Sequence, residues 1–205
     1  MTSEAFAATP ELLKWEPLTP EQVRDRLREL SARWWIAGGW ALDLFIGRAT
    51  RAHTDIEIAV FRDDLAAVRR ALAGWELFVA ESGAFTPWRE GEPLPKSAHE
   101  LWCRERGHQA WQLEILVEER SGDRWTYRRD PDIGVRANDL GRVTADGIPY
   151  VRPEIQLLYK SKDARPVDES DFITVLPRLD PAQRAFLSAA LWTTAPGHRW
   201  LQRLG

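Results

Sequence analysis

Two acids separated by a single residue, Asp55 and Glu57, stand in the run Asp55-Ile56-Glu57-Ile58-Ala59-Val60, where aliphatic side chains alternate with them. Successive side chains of a strand point to opposite faces. Ile56, Ile58 and Val60 are therefore expected to face a core while both carboxylates project together on the other side. Paired carboxylates suit Mg²⁺, which takes oxygen ligands at about 2.0–2.1 Å and is usually held by one or two acids plus substrate phosphates. Upstream, Gly38-Gly39 lies between a short apolar run, Trp34 to Ala37, and a helical pattern from Trp40 to Ile46. Glycine at such a junction lets the backbone approach a ligand closely, and the N–H groups and dipole of a helix start favour phosphate. Together the two features predict a magnesium site for a nucleoside triphosphate.

The residues between them make the pattern more specific. From Gly38 the chain reads Gly-Gly-Trp-Ala-x-Asp-x-x-x-Gly-Arg-x-Thr-Arg-x-His-x-Asp-x-acid, through Asp43, Gly47, Arg48, Thr50, Arg51, His53 and Asp55 to Glu57. This resembles the nucleotidyltransferase superfamily related to DNA polymerase beta, in its aminoglycoside 2''-O-nucleotidyltransferase and lincosamide nucleotidyltransferase branch. The resemblance implies that Asp55 and Glu57 are metal ligands and that the Gly38-Gly39 turn holds the triphosphate. It also implies a lysine reaching across the cleft from the C-terminal part, where Tyr159-Lys160-Ser161-Lys162 with Asp168 and Asp171 matches that region, and dimers in some relatives. Glu57 departs from the aspartate many relatives carry, and Val167 from a frequent lysine.

Two-metal nucleotidyl transfer calls for a third acid, to ligate a second ion or take the proton of the attacking hydroxyl. In Gln112-Leu113-Glu114-Ile115-Leu116-Val117, Leu113, Ile115 and Val117 would pack inward and Glu114 would point the other way, which makes Glu114 the candidate. Glu118 and Glu119 are read as solvated acids closing that strand. Arg48, Arg51, Lys160 and Lys162 are candidate triphosphate contacts, since guanidinium forks and ammonium charges both balance polyphosphate; a solvated surface charge is the alternative for each. His53 could orient a phosphate or a metal-bound water, or be a hydrogen-bonded structural histidine. His99, Cys103 and His108 do not read as a zinc site, because no fourth ligand follows and a strand pattern scatters them. Most of the eleven tryptophans should be packing residues, with Trp88 and Trp102 the two placed to border a cleft.

Around these residues the expected fold is α+β, a mixed-sheet nucleotidyltransferase core with a C-terminal helical bundle. A catalytic part over residues 1–152 and a helical part over 153–205 are separated by a soft boundary, or form one continuous unit. Thr19-Pro20-Glu21-Gln22 and Asp180-Pro181-Ala182-Gln183 are capping boxes that open helices, Asp63 is a further candidate cap, and Pro153 starts the helical third. Phe85 to Val151 reads as strands and turns. Met1 to Pro10 reads as a frayed leader, and no apolar run is long enough to span a membrane.

Of 205 residues, 44% are hydrophobic and 29% charged, with a net charge of −3, which suits a compact globular enzyme and disfavours a broad nucleic-acid surface. The single Cys103 excludes an internal disulfide and suits a reducing cytoplasm. The function expected is Mg²⁺-dependent transfer of a nucleoside monophosphate, AMP from ATP, to a hydroxyl of a small molecule; that the acceptor is aminoglycoside-like is implied by the family resemblance alone. The other readings are a nucleotidyltransferase acting on a macromolecule and a non-catalytic nucleotide-binding module.

Overall fold

The computed structural model describes residues 5–7, 9 and 13–205. A short strand, β1 (Phe6–Ala7), precedes α1 (Pro20–Arg26), β2 (Trp34–Ile36), α2 (Gly38–Ile46) and β3 (Glu57–Phe61). After α3 (Leu65–Ala71) come β4 (Trp75–Glu81), β5 (Ala84–Pro87), β6 (Glu100–Glu105) and β7 (Leu113–Ser121). Four more strands follow: β8 (Arg124–Tyr127), β9 (Asp130–Arg136), β10 (Gly141–Val143) and β11 (Pro149–Val151). The chain ends in α4 (Pro153–Ser161), α5 (Pro166–Val175), α6 (Pro181–Thr194) and α7 (Leu201–Leu204).

The strands form a sheet in the order β1-β5-β4-β6-β7-β3-β2-β11-β10, with β8 and β9 continuing from β7. It is mixed: β3 runs parallel to β7 and β11 parallel to β2, while the other neighbours are antiparallel. The expected α+β class, with a mixed sheet and helices after it, is the fold observed. One buried apolar cluster joins Val23 and Leu27 of the first helical segment, Ile36, Ile58 and Ile115 of the sheet, and Leu158, Phe172, Leu191 and Trp200 of the last third. The C-terminal helices thus share the core of the sheet. A second cluster of Phe78, Phe85 and Trp111 packs with Phe6, Trp15 and Trp102.

Both expected capping boxes form. Thr19 accepts from the Gln22 N–H at 3.3 Å and Gln22 accepts from the Thr19 N–H at 2.8 Å; Asp180 and Gln183 do the same at 2.8 and 2.9 Å. Such a cap stabilises a helix start by about 1 kcal/mol.

Four local expectations change. Asp63 does not cap α3; it sits in a 3-10 turn over Arg62–Asp64 and pairs with Arg120, so α3 starts at Leu65 without a side-chain cap. Strand β3 is buried on both faces, Ala59 and Phe61 included, because it lies in the middle of the sheet. In the region read as a leader, Phe6 and Ala7 pair with Phe85 and Ala84; Met1 to Glu4, Ala8 and Pro10 lie outside the described residues. Glu118 is buried rather than solvated, for reasons given below. Among the described residues, no helix is long and apolar enough to cross a membrane.

Candidate active site

The glycine turn is where the backbone meets the functional side chains. Gly38 starts α2 with φ +62°, a left-handed conformation that disfavours any residue with a Cβ. A Cβ there would lie 2.0 Å from Glu57 Oε2, and one on Gly39 would lie 2.2 Å from Arg51 Nη2. Both glycines are therefore required by close packing of an acid and a guanidinium on the helix start. The Gly38 N–H donates to Gln156 Oε1 at 2.9 Å, which ties the turn to α4.

Glu57 opens β3 and stands in register beside Glu114 of the parallel strand β7. Asp55 stands just ahead of β3. Burial, then the charge of Asp55, pushes the Glu57 carboxyl upward, against the pull of Lys160 and Arg51. Burial, then the charges of Glu57, Glu100 and Asp55, pushes Glu114 well above the carboxylate range. Glu57 and Glu114 thus crowd each other in a partly dehydrated place, and the charge of Asp55 adds to the repulsion each of them feels.

Glu57 and Glu114 line a cavity of about 420 Å³ whose wall also includes Gly38, Gln156, Lys160, Lys162 and Arg165. Lys160 is nearly buried and pairs with Asp168 at 2.8 Å and Asp171 at 3.0 Å. Arg51 makes a two-point contact with Asp171 at 3.0 and 3.3 Å. Lys162 is exposed at the end of α4. Arg48 is elsewhere: it is exposed and lines a separate cleft with Trp40 and Thr144. The reason is geometric, because the nine residues of α2 carry the chain about 13 Å from the glycine turn before Arg48 is reached.

His53 is held in place by two neighbours. Its Nε2 lies 2.7 Å from Asp43 Oδ2 and its ring stacks on Trp40 at 4.3 Å. Asp43 also accepts from the Thr50 N–H at 3.1 Å and from the Thr50 hydroxyl. The motif residues Asp43, Thr50 and His53 thus form a clamp that fixes the loop leading into the acid strand. Trp102 packs edge-on against Trp15 and Trp111 and stands in register with Glu114, and Trp88 lies under Arg69.

Several residues of the cavity escaped the reading of the chain. Glu118 accepts from Trp125 Nε1 at 2.7 Å and from the Tyr159 hydroxyl at 2.6 Å, and it lines the cavity. Its place on the same strand face as Glu114, four residues on, was the available signal. Gln156 offered none, since its contact with Gly38 spans 118 residues of sequence.

The donor set suits magnesium. Glu57 and Glu114 hold up each other's proton affinity, and a divalent cation would relieve that repulsion. Among the described residues, no three His, Cys, Asp or Glu side chains are already gathered around a cation position. Glu57 and Glu114 supply the facing pair.

Residues 21–85, which contain the glycine turn and the acid strand, match the family model described as aminoglycoside-2''-adenylyltransferase. No curated protein matches the chain. Among solved structures, the lincomycin-bound lincosamide antibiotic adenylyltransferase LnuA is similar, with a TM-score of 0.53 at 20% identity over 83% of this chain and 98% of that one. ANT(2'')-Ia in complex with adenylyl-2''-tobramycin gives 0.56 at 15% identity over 85% of this chain and 96% of that one. A solution structure of ANT(2'')-Ia gives 0.54 at 16% identity, over 89% and 94%. The family match covers the glycine turn and the acid strand, and the solved structures share the fold of the chain.

Proposed function

We propose that the protein transfers AMP from ATP to a hydroxyl of a small antibiotic of the aminoglycoside or lincosamide kind, releasing pyrophosphate. The observation that supports this most is the side-by-side register of Glu57 and Glu114 at the glycine turn, in a cavity that also carries Lys160, Lys162 and Arg165. Glu114, whose proton affinity is raised, takes the proton of the acceptor hydroxyl. The acceptor oxygen then bonds to the α-phosphorus while the bond to the β-phosphate oxygen breaks. Lys160, Lys162 and Arg165 meet the charge that moves onto pyrophosphate, and the Gly38-Gly39 turn leaves room for the phosphates to approach. Magnesium, when held by Asp55, Glu57 and Glu114, would neutralise phosphate charge at this end of the cavity.

Pyrophosphate release with ATP, Mg²⁺ and a panel containing tobramycin and lincomycin, run beside Asp55→Asn, tests the proposal. Acceptor-dependent release that Asp55→Asn abolishes is expected. ATP binding without turnover on any acceptor would overturn it in favour of a non-catalytic nucleotide-binding module.

A further inference from the structure

Glu118 is a carboxylate that the transfer chemistry leaves unused. It is 6% exposed, yet it forms part of the cavity wall. Trp125 Nε1–H and the Tyr159 hydroxyl both donate to the same oxygen, Oε2. Two donors from β8 and α4 on one oxygen fix the plane of the carboxyl group. Among the described residues, Oε1 receives no hydrogen bond. A buried acid kept only for packing would have both oxygens satisfied, and a glutamine could accept the same two bonds without the cost of burying a charge.

The same cavity wall carries a buried nitrogen. The Val117 N–H donates to the His99 carbonyl at 2.8 Å, and His99 Nδ1, in the same cavity wall, is buried with no hydrogen-bond partner among the described residues. Charge separates the two ends of the cavity. Lys160, Arg51 and Arg165 act on Glu57 or are acted on by it, whereas the charges that bear on Glu118 are Arg128 and Glu119. The polyphosphate belongs with the first group, which leaves the Glu118 end for the acceptor.

We propose that Glu118 Oε1 anchors an ammonium or hydroxyl group of the acceptor, and that Trp125 and Tyr159 are positioning residues that aim it. Four strand residues separate Glu118 from Glu114, or about 13 Å along β7. The site therefore selects acceptors that carry a hydrogen-bond donor about that far from the reacting hydroxyl, a span of two to three sugar rings. This rests on the assignment of Glu114 to the reacting hydroxyl.

The test is calorimetric binding of tobramycin, a three-ring polyamine, to the wild type and to Glu118→Gln, each saturated with a non-hydrolysable ATP analogue. Tobramycin should bind about tenfold more weakly or worse to the variant, as expected for loss of a hydrogen bond to a charged group, with ATP-analogue affinity held within about twofold. Tyr159→Phe, which frees Oε2 while keeping the ring, should weaken tobramycin by a smaller factor. In turnover, KM for the acceptor should rise more than kcat falls. Equal tobramycin affinity in wild type and Glu118→Gln overturns the proposal. So does a loss confined to the ATP analogue, which would put the nucleotide at this end. Absence of tobramycin binding to the wild type overturns it too, while pyrophosphate release with another acceptor would leave nucleotidyl transfer standing. Glu118-dependent tobramycin binding without turnover would keep the anchor and remove the transfer reading.

Discussion

The acids on the strand side of the cavity and those on the helix side are treated in opposite ways. Glu57 and Glu114 stand beside each other with like charges for company, and both are pushed toward the protonated form. Asp168 and Asp171, from α5, are each paired: Asp168 with Arg165 and Lys160, Asp171 with Arg51 and Lys160. Desolvated acids normally acquire partners, so acids left facing one another mark the place where folding alone does not balance the charge. The helix-side acids hold the cleft in shape, and the strand-side acids are the ones the proposed function draws on.

Glu57→Gln gives the largest expected effect. Turnover should fall by about a thousandfold or more, because in the proposed reaction Glu57 would hold the metal, and such a carboxylate carries several kcal/mol of the barrier reduction. The melting temperature should hold or rise, since a crowded acid cluster loses one charge. Asp171→Asn should do the reverse in stability. It strips a charged partner from both Lys160 and Arg51, for a loss of about 2–4 kcal/mol in urea denaturation. A stable Asp171→Asn together with an unfolded Glu57→Gln would invert the division between the two sides.

Gly38→Ala tests the contact between the turn and the strand. At φ +62°, and with a Cβ that would fall 2.0 Å from Glu57 Oε2, alanine should cost about 1–3 kcal/mol and displace the Glu57 carboxylate. Turnover should drop further than stability accounts for. An alanine variant with full stability and full activity would show that the turn does not need glycine.

The strand-side half of this site was legible in the chain because its signals are local. Gly38-Gly39 and Asp55-x-Glu57 lie within twenty residues, and the period-two pattern around Glu114 shows which way that acid points. The helix-side half was not. Lys160 could be named from its resemblance to a family region, but its pairing with Asp168 and Asp171 depends on how α5 turns back over α4. Glu118 was misread because an acid pair at a strand end has the composition of a solvated edge. Its burial comes from Trp125 and Tyr159, and Tyr159 is 41 positions downstream. Arg48 shows the opposite error, in which a residue near in sequence is carried away by an intervening helix. The fold itself was easier to read, since caps, proline starts and apolar periods are written element by element, although Asp63 misled by offering a cap that a 3-10 turn displaced.

The smallest expected effect is the pH dependence of the helix side. Burial alone would raise the Asp168 carboxyl, but hydrogen bonds from Arg165 and Lys160 outweigh it and hold the group well below the ordinary aspartate range. The native state then binds this proton less readily than the unfolded chain. The stabilisation is present above the unfolded value near 4 and is lost as pH falls through the lower native one. Wild type should therefore exceed Asp168→Asn by about 1–2 kcal/mol at neutral pH, and the gap should begin to narrow once the pH falls below the unfolded value. Denaturation of the two proteins at pH 7 and at about pH 3 measures it. Arg165 is mostly exposed, so its share is screened by salt, whereas the nearly buried Lys160 contact is not. A gap that widened toward acid would mean that the charge on Asp168 is a burden to the fold, and the helix side would then be no better balanced than the strand side.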